Sequence, residues 1–168
     1  IKNGNQFGLT PYGTEAMHVL RAERGFIIVG QETDGTVSPI DLGMDWIISK
    51  KKKDFIGKRS LERASMKQND RKELVGLLSD DPNTVIPEGA HAIDEKDLEL
   101  EEKNILGHVT SSYFSSNCKR SIAMALIKNG RARKGNKLVI PLLNGDKIKA
   151  KIVNPVFFDP NGVRKNGI

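Results

Sequence analysis

At 168 residues, 38% hydrophobic and 29% charged, the chain suits one domain with a sizeable core, or one small domain joined to part of another; no apolar run approaches the roughly 18 residues of a membrane span. One cysteine, Cys118, excludes an internal disulfide and a cysteine-built zinc site, and His18, His91 and His108 match no metal-ligand spacing, so no metal is expected. The net charge of +6 alternates in blocks, −2 over residues 1–43, +5 over 44–74, −7 over 75–103 and +10 over 104–168, which suits interfaces within an assembly better than one nucleic-acid track.

The first predicted helix starts near Thr14. Ala16, Met17, Val19 and Leu20 give it an apolar stripe at helical spacing, and Arg24 followed by Gly25 supplies a basic last turn and a C-terminal cap. Phe26 to Val29 reads as a short strand ended by Gly30. After the turn-rich QETDGTVSP, Pro39 and Asp41 are expected to open a short helix. Met44 to Ser49 reads as a strand around Trp46, stopped by Lys50, Lys51, Lys52 and Lys53. A second helix is expected over Lys58 to Ala64, and residues 65–72 read as a polar linker.

From Lys72 the texture changes. Glu73 to Leu78, His91 to Ile93, Ile105 to Phe114, Ile122 to Ile127, Lys137 to Pro141 and Lys147 to Val153 are strand candidates separated by Gly, Asp, Asn or Pro turns. Asn144-Gly145 predicts a hairpin with a type I′ turn. Such regular short strands favour a small antiparallel barrel or sandwich, because closure leaves no bare sheet edge.

Chemistry is sparse. Cys118 has no histidine next to it in sequence and reads as a packing or surface residue, and His18 and His108 read first as structural histidines. The glycines form neither a dinucleotide fingerprint nor a P-loop, so no NAD, FAD or ATP site is expected from this chain alone. The lysine run is not interleaved with aromatics, and nucleic acid is not an expected partner. Arg21 and Glu23, two apart on a helix, point to different faces; one can face a pocket while the other anchors a loop, or both can lie on the surface. With no charged leader and apolar run at Ile1, a mature or cut fragment of a longer gene product is expected; the expected location is the cytoplasm.

Ordered motifs carry a family resemblance. LRAERG, residues 20–25, and TVSPIDLGMDWIISKKKKDFIGKRSL, residues 36–61, resemble the later part of aminomethyltransferase, the folate-dependent T-protein of the glycine cleavage system. GHVTSSYFSSNCKRSIAMALI, residues 107–127, and PVFFDPNGVR, residues 155–164, resemble its C-terminal barrel. LTPYGTEAMHVLRAERGFIIVGQETDGTVSPIDLGMDW, residues 9–46, is more similar to the branch of this family that forms the C-terminal part of heterotetrameric sarcosine oxidase alpha subunits.

The resemblance implies an α+β chain: a partial aminomethyltransferase-like folate-binding domain over residues 1–70, then an antiparallel β-barrel over 72–168. It implies tetrahydrofolate as cofactor, with FAD, FMN and NAD held elsewhere in the full complex. It implies as partners the upstream remainder of the subunit, the other sarcosine oxidase subunits and a sarcosine-derived one-carbon unit. Its motifs assign Arg21 and Glu23 to the folate pocket, Lys50 and its neighbours to the glutamyl tail, and Tyr113 to the shared cavity. Arg164 is expected either to reach the pocket or to tie down the turn before it. Ser116 and Asn117-Cys118 depart from the family pattern, and the family's catalytic aspartate has no counterpart here, so no catalytic residue is expected. A glycine-cleavage-type transferase fragment and a noncatalytic assembly domain are the alternatives.

Overall fold

The computed structural model describes residues 1–100 and 102–166. Helix α1 spans Thr14–Glu23 and the single turn α2 spans Lys58–Leu61; six strands follow, β1 Lys72–Ser79, β2 His91–Asp94, β3 Ile105–Ser115, β4 Arg120–Lys128, β5 Lys137–Pro141 and β6 Lys147–Val153. All pairings are antiparallel, and the order β1-β4-β3-β2-β5-β6 closes through β6 on β1. No helix among the described residues is long and apolar enough to cross a membrane.

Strand β4 shows why this sequence closes a barrel and then covers it. Ala123, Ala125 and Ile127 point into the interior with Val75, Leu77, Val109, Leu138, Ile140 and Ile152. The alternate residues Ile122, Met124 and Leu126 join a second cluster with Ala22 of α1 and Leu74 of β1. A strand buried on both faces reads as a continuous apolar run, as SIAMALI does, because neither set of side chains meets water. Each fully buried Leu or Ile contributes roughly 1.5 to 3 kcal/mol, so both clusters matter to stability. Gly107 lies where β3 presses on β4: a Cβ there would stand 1.8 Å from the Leu126 carbonyl oxygen.

The first segment is clamped to the barrel by Arg71, immediately before β1. Its Nε donates to Asp41 Oδ1 at 2.8 Å, its second amino group pairs with Asp41 Oδ2, and it also donates to the carbonyls of Thr36 and Ser65. Asp41 is 3% exposed and accepts from the backbone and hydroxyl of Ser38 as well. Burial alone pushes its carboxyl pKa up, but the Arg71 and Ser38 hydrogen bonds outweigh that and hold it below the usual carboxylate value.

Several sequence expectations for the first segment are corrected. Phe26 to Val29 is not a strand; only an isolated bridge joins Val29 to Thr33. Met44 to Ser49 is a 3-10 turn at Asp45–Ile47, and Pro39 to Asp41 is a turn held by Ser38 and Asp41 rather than a helix. Strands need a neighbour to take their backbone hydrogen bonds, and no described strand lies alongside these stretches. Helix α2 stops at Leu61, and Ala64–Met66 forms a separate 3-10 turn. Between β5 and β6, only Gly145 of the Asn-Gly pair has a positive φ, 90°. The Gly145 amide bonds the Leu142 carbonyl, and the Leu142 amide that of Asp146. The turn is therefore a type I turn with a glycine bulge, not type I′.

Candidate functional site

Helix α1 meets the barrel with its polar end. Met17 and Leu20, expected to face inward, are exposed, whereas Arg21, Ala22 and Glu23 are buried against β3 and β4. The helix ends in a tight left-handed cap: Gly25 has φ 68°, its amide bonds the Ala22 carbonyl and the Phe26 amide bonds that of Arg21. A Cβ at Gly25 would also come within 2.8 Å of the Pro155 carbonyl oxygen, so glycine serves both the turn and the close approach. The reversal returns Gln31 and Glu32 alongside the last turn of α1.

Arg21, 9% exposed, is the hub. Its Nη1 donates to Glu32 Oε2 at 3.0 Å and to the Phe26 carbonyl at 3.1 Å. Its Nη2 donates to Ser111 Oγ at 2.6 Å, Gln31 Oε1 at 3.0 Å and the Tyr113 hydroxyl at 3.4 Å. Its Nε is buried without a hydrogen-bond partner. Glu32 is 0% exposed; it accepts also from the Ile28 amide at 2.7 Å and from the Ser111 hydroxyl. Apart from Arg21 Nε, the ion pair is therefore compensated on both sides, as a buried pair requires.

Glu23, 2% exposed, reaches the same strand further along, accepting from the Ser115 hydroxyl at 2.6 Å and from the Asn117 amide at 2.9 Å. Its backbone carbonyl accepts from the amides of Phe157 and Phe158, both at 2.9 Å. Ser111, Tyr113 and Ser115 alternate along β3 and so share one face. The different helical directions of Arg21 and Glu23 lead both to that face, because Arg21 is long enough to reach back over it.

Tyr113 is half-buried, with the Arg21 guanidinium 5.8 Å from its ring centroid. His18 stacks on it at 6.4 Å with the ring planes 24° apart, and His18 Nδ1 is buried with no hydrogen-bond partner. Arg21, Glu23 and Tyr113 thus come together on one face of β3. Lys50 does not join them: it is exposed on the lysine loop, and no described hydrogen bond or ion pair links it to this cluster. Arg164 sits apart as well, its guanidinium 5.2 Å from the Phe158 ring and its amide donating to Asp159 at 3.3 Å. Arg24 pairs with the same Asp159 at 3.1 Å, so Arg164 and Arg24 both hold that turn.

An apolar cleft of about 630 Å³ opens beside the end of α1, walled by Phe26, Leu42, Met44, Trp46 and Leu74; none of Arg21, Glu23, Lys50, Tyr113 and Arg164 lines it. Among the described residues no cluster of His, Cys, Asp and Glu could hold a metal ion. Nearer the start of β3, on the same outer face, His108 stands opposite His91 of β2; burial, then the charges of Lys72 and His91, depress its pKa against an opposing pull from Asp34.

Sequence reasoning missed Glu32 and Ser111. Glu32 lies in a turn-rich stretch with no periodicity to mark it as buried. Ser111 stood in a readable strand, and the alternation of Ser111, Tyr113 and Ser115 was the available signal that its outer face is polar.

Residues 72–159 match the glycine cleavage T-protein C-terminal barrel domain, and residues 1–52 match the GCVT N-terminal domain. The chain is 50% identical over 165 residues to the sarcosine oxidase subunit alpha of Corynebacterium sp. (strain P-1), covering 98% of this chain and 17% of that protein. It is 38% identical to the corresponding subunit of Rhizobium meliloti (strain 1021), covering 98% and 16%. An aminomethyltransferase of Thermoanaerobacter pseudethanolicus is 30% identical, with coverage of 96% and 41%. The crystal structure of glycine cleavage system aminomethyltransferase T from Bartonella henselae superposes with a TM-score of 0.73 at 25% identity, covering 86% of this chain and 38% of that one. The chain thus spans less than half the length of each of these relatives. Its closed antiparallel barrel, the helix docked on it and the model match over residues 72–159 show that the chain belongs to the glycine cleavage T-protein family.

Proposed function

We propose that this chain is the folate-binding C-terminal part of a sarcosine oxidase alpha-type subunit, supporting oxidative demethylation of sarcosine to glycine with transfer of the one-carbon unit to tetrahydrofolate. The observation that carries the reading is 50% identity to such a subunit over 165 residues, against 30% for the aminomethyltransferase of Thermoanaerobacter pseudethanolicus. In this reading residues 1–70 complete a folate-binding domain begun upstream and residues 72–168 are its barrel. Met17, Leu20, Phe26, Trp46 and Ile56 are large apolar residues left exposed in the first segment, as expected if the upstream remainder of the subunit covers them.

The residues fit a folate. The orphaned His18 Nδ1 and the Tyr113 hydroxyl, beside a half-buried aromatic face, offer a polar heterocycle hydrogen bonds and a stacking surface. Tetrahydrofolate, when bound, supplies the amine nitrogens that capture the one-carbon unit. The chain's part is positional: Arg21 and Glu23 order the β3 face, Tyr113 meets the ligand there, Lys50 on its exposed loop supplies positive charge for the anionic tail, and Arg164 ties down the turn at Asp159. Oxidation belongs to flavins, and NAD binding to the rest of the complex, in the other subunits and the upstream region. The same reading locates the complex in the cytoplasm.

The test is titration calorimetry with tetrahydrofolate on the assembled, flavin-loaded complex. Saturable binding weakened by Tyr113→Phe, with flavin reduction by sarcosine unchanged, supports the reading. The isolated chain, freed of partners and flavin, should oxidise no sarcosine.

A further inference from the structure

We infer that Glu32 and Ser111 are positioning residues that act through Arg21 to hold Tyr113 in place on the outer face of β3. The inference rests on the folate-binding reading above and extends it to two residues that touch no ligand.

Three side chains close a ring. Arg21 donates to Glu32 at 3.0 Å and to Ser111 at 2.6 Å, and the Ser111 hydroxyl donates onward to Glu32. Glu32 and Ser111 are both 0% exposed, so neither can exchange a lost partner for water. Each member's orientation is set by the other two. The guanidinium so fixed is the group that reaches the Tyr113 hydroxyl at 3.4 Å and stands 5.8 Å from the ring. That bond is the one described hydrogen bond made by the Tyr113 side chain, and His18 stacks on the ring at 6.4 Å. Tyr113 is thus held by a cation whose own position depends on a carboxylate from the turn after α1 and a hydroxyl from its own strand. Sequence separations of 79 and 90 residues within the ring mean that it also ties the first segment to the barrel.

The chain has two tyrosines, Tyr12 and Tyr113, so ¹³Cζ-tyrosine labelling gives two resonances, assigned with Tyr12→Phe. Ser111→Ala deletes the shared hydroxyl and leaves the ion pair; Glu32→Gln keeps the shape and removes the charge. Both should move the Tyr113 resonance and leave Tyr12 in place. In the full-length folate-binding subunit, Ser111→Ala should weaken tetrahydrofolate about tenfold, one lost hydrogen bond's worth. Ser111→Ala combined with Tyr113→Phe should be no weaker than Tyr113→Phe alone, since one acts through the other. A stationary Tyr113 resonance in correctly folded Ser111→Ala overturns the inference, and so do additive losses of affinity. A wild-type subunit that binds no folate, with the Tyr113 resonance still displaced in the variants, supports the positioning role and overturns the folate reading instead.

Discussion

Arg21 and Glu32 meet 3.0 Å apart, 9% and 0% exposed, and join the end of the chain's longest helix to the turn that follows it. The pair is the structural centre of the molecule outside the barrel interior, and it makes the effects of mutation there unequal.

Arg21→Ala leaves the Glu32 carboxylate buried with the Ser111 hydroxyl and the Ile28 amide as donors. Breaking a buried pair in this way costs about 3 to 5 kcal/mol. Denaturant unfolding should register a loss of that size. Arg21→Lys should recover little of it, because one ammonium cannot serve Glu32, Gln31, Ser111 and the Phe26 carbonyl together. A loss below about 1 kcal/mol would mean that the pair contributes no more than a surface bridge.

Acid should loosen the clamp at Arg71. The Asp41 carboxyl is held below its ordinary value in the folded chain, so the unfolded chain takes the proton first as pH falls. The stabilisation is fully present above the unfolded value of about 3.9 and is lost as pH drops through the lower folded value. Asp41→Asn should lower stability at pH 7 and flatten its dependence below about pH 4. Thermal melts across that range check both effects.

The neutral side of the pH scale is set partly by His108. Burial, with Lys72 and His91 adding to it, makes the folded chain bind this proton less readily than the unfolded chain does. Stability therefore falls as pH drops from about 6.5 toward the depressed folded value. His108→Gln should reduce the difference in melting temperature between pH 7 and pH 5. An unchanged difference would place the titration on another group.

Glycine substitutions should separate two kinds of strain. Gly145→Ala meets no neighbour but keeps a φ of 90°, and should cost about 1 to 2 kcal/mol. Gly107→Ala puts a methyl 1.8 Å from the Leu126 carbonyl oxygen, where β3 and β4 must part, and should cost more than that. Equal melting temperatures for the two variants would contradict the packing described for β3 on β4.

How much was legible follows from where each residue's partner lies. β5 and β6 have the predicted limits, Lys137–Pro141 and Lys147–Val153, because the short apolar run of β5, the alternation of β6 and the glycine turn between them are local signals. β4 was legible as an apolar run, although its burial on both faces depends on a helix 100 residues away in sequence. Phe26 to Val29 and Met44 to Ser49 carry strand-forming residues, and their composition could not reveal the absence of a pairing neighbour. At the site, the resemblance named Arg21, Glu23 and Tyr113, which the fold brings together. It could not name Glu32, whose burial is created by the cap at Gly25 and by Ser111 from across the chain. Lys50 and Arg164 were chosen for charge and motif, and neither property sets which face of the fold a loop side chain occupies.

The central claim is that this chain completes a folate site. The most direct measurement is calorimetric titration of tetrahydrofolate into the full-length, flavin-loaded complex proposed for it, with flavin reduction by sarcosine followed in parallel. The account predicts saturable binding that is weakened by Tyr113→Phe while flavin reduction proceeds unchanged. No binding at full flavin occupancy, or binding indifferent to Tyr113→Phe in a correctly folded complex, would contradict it.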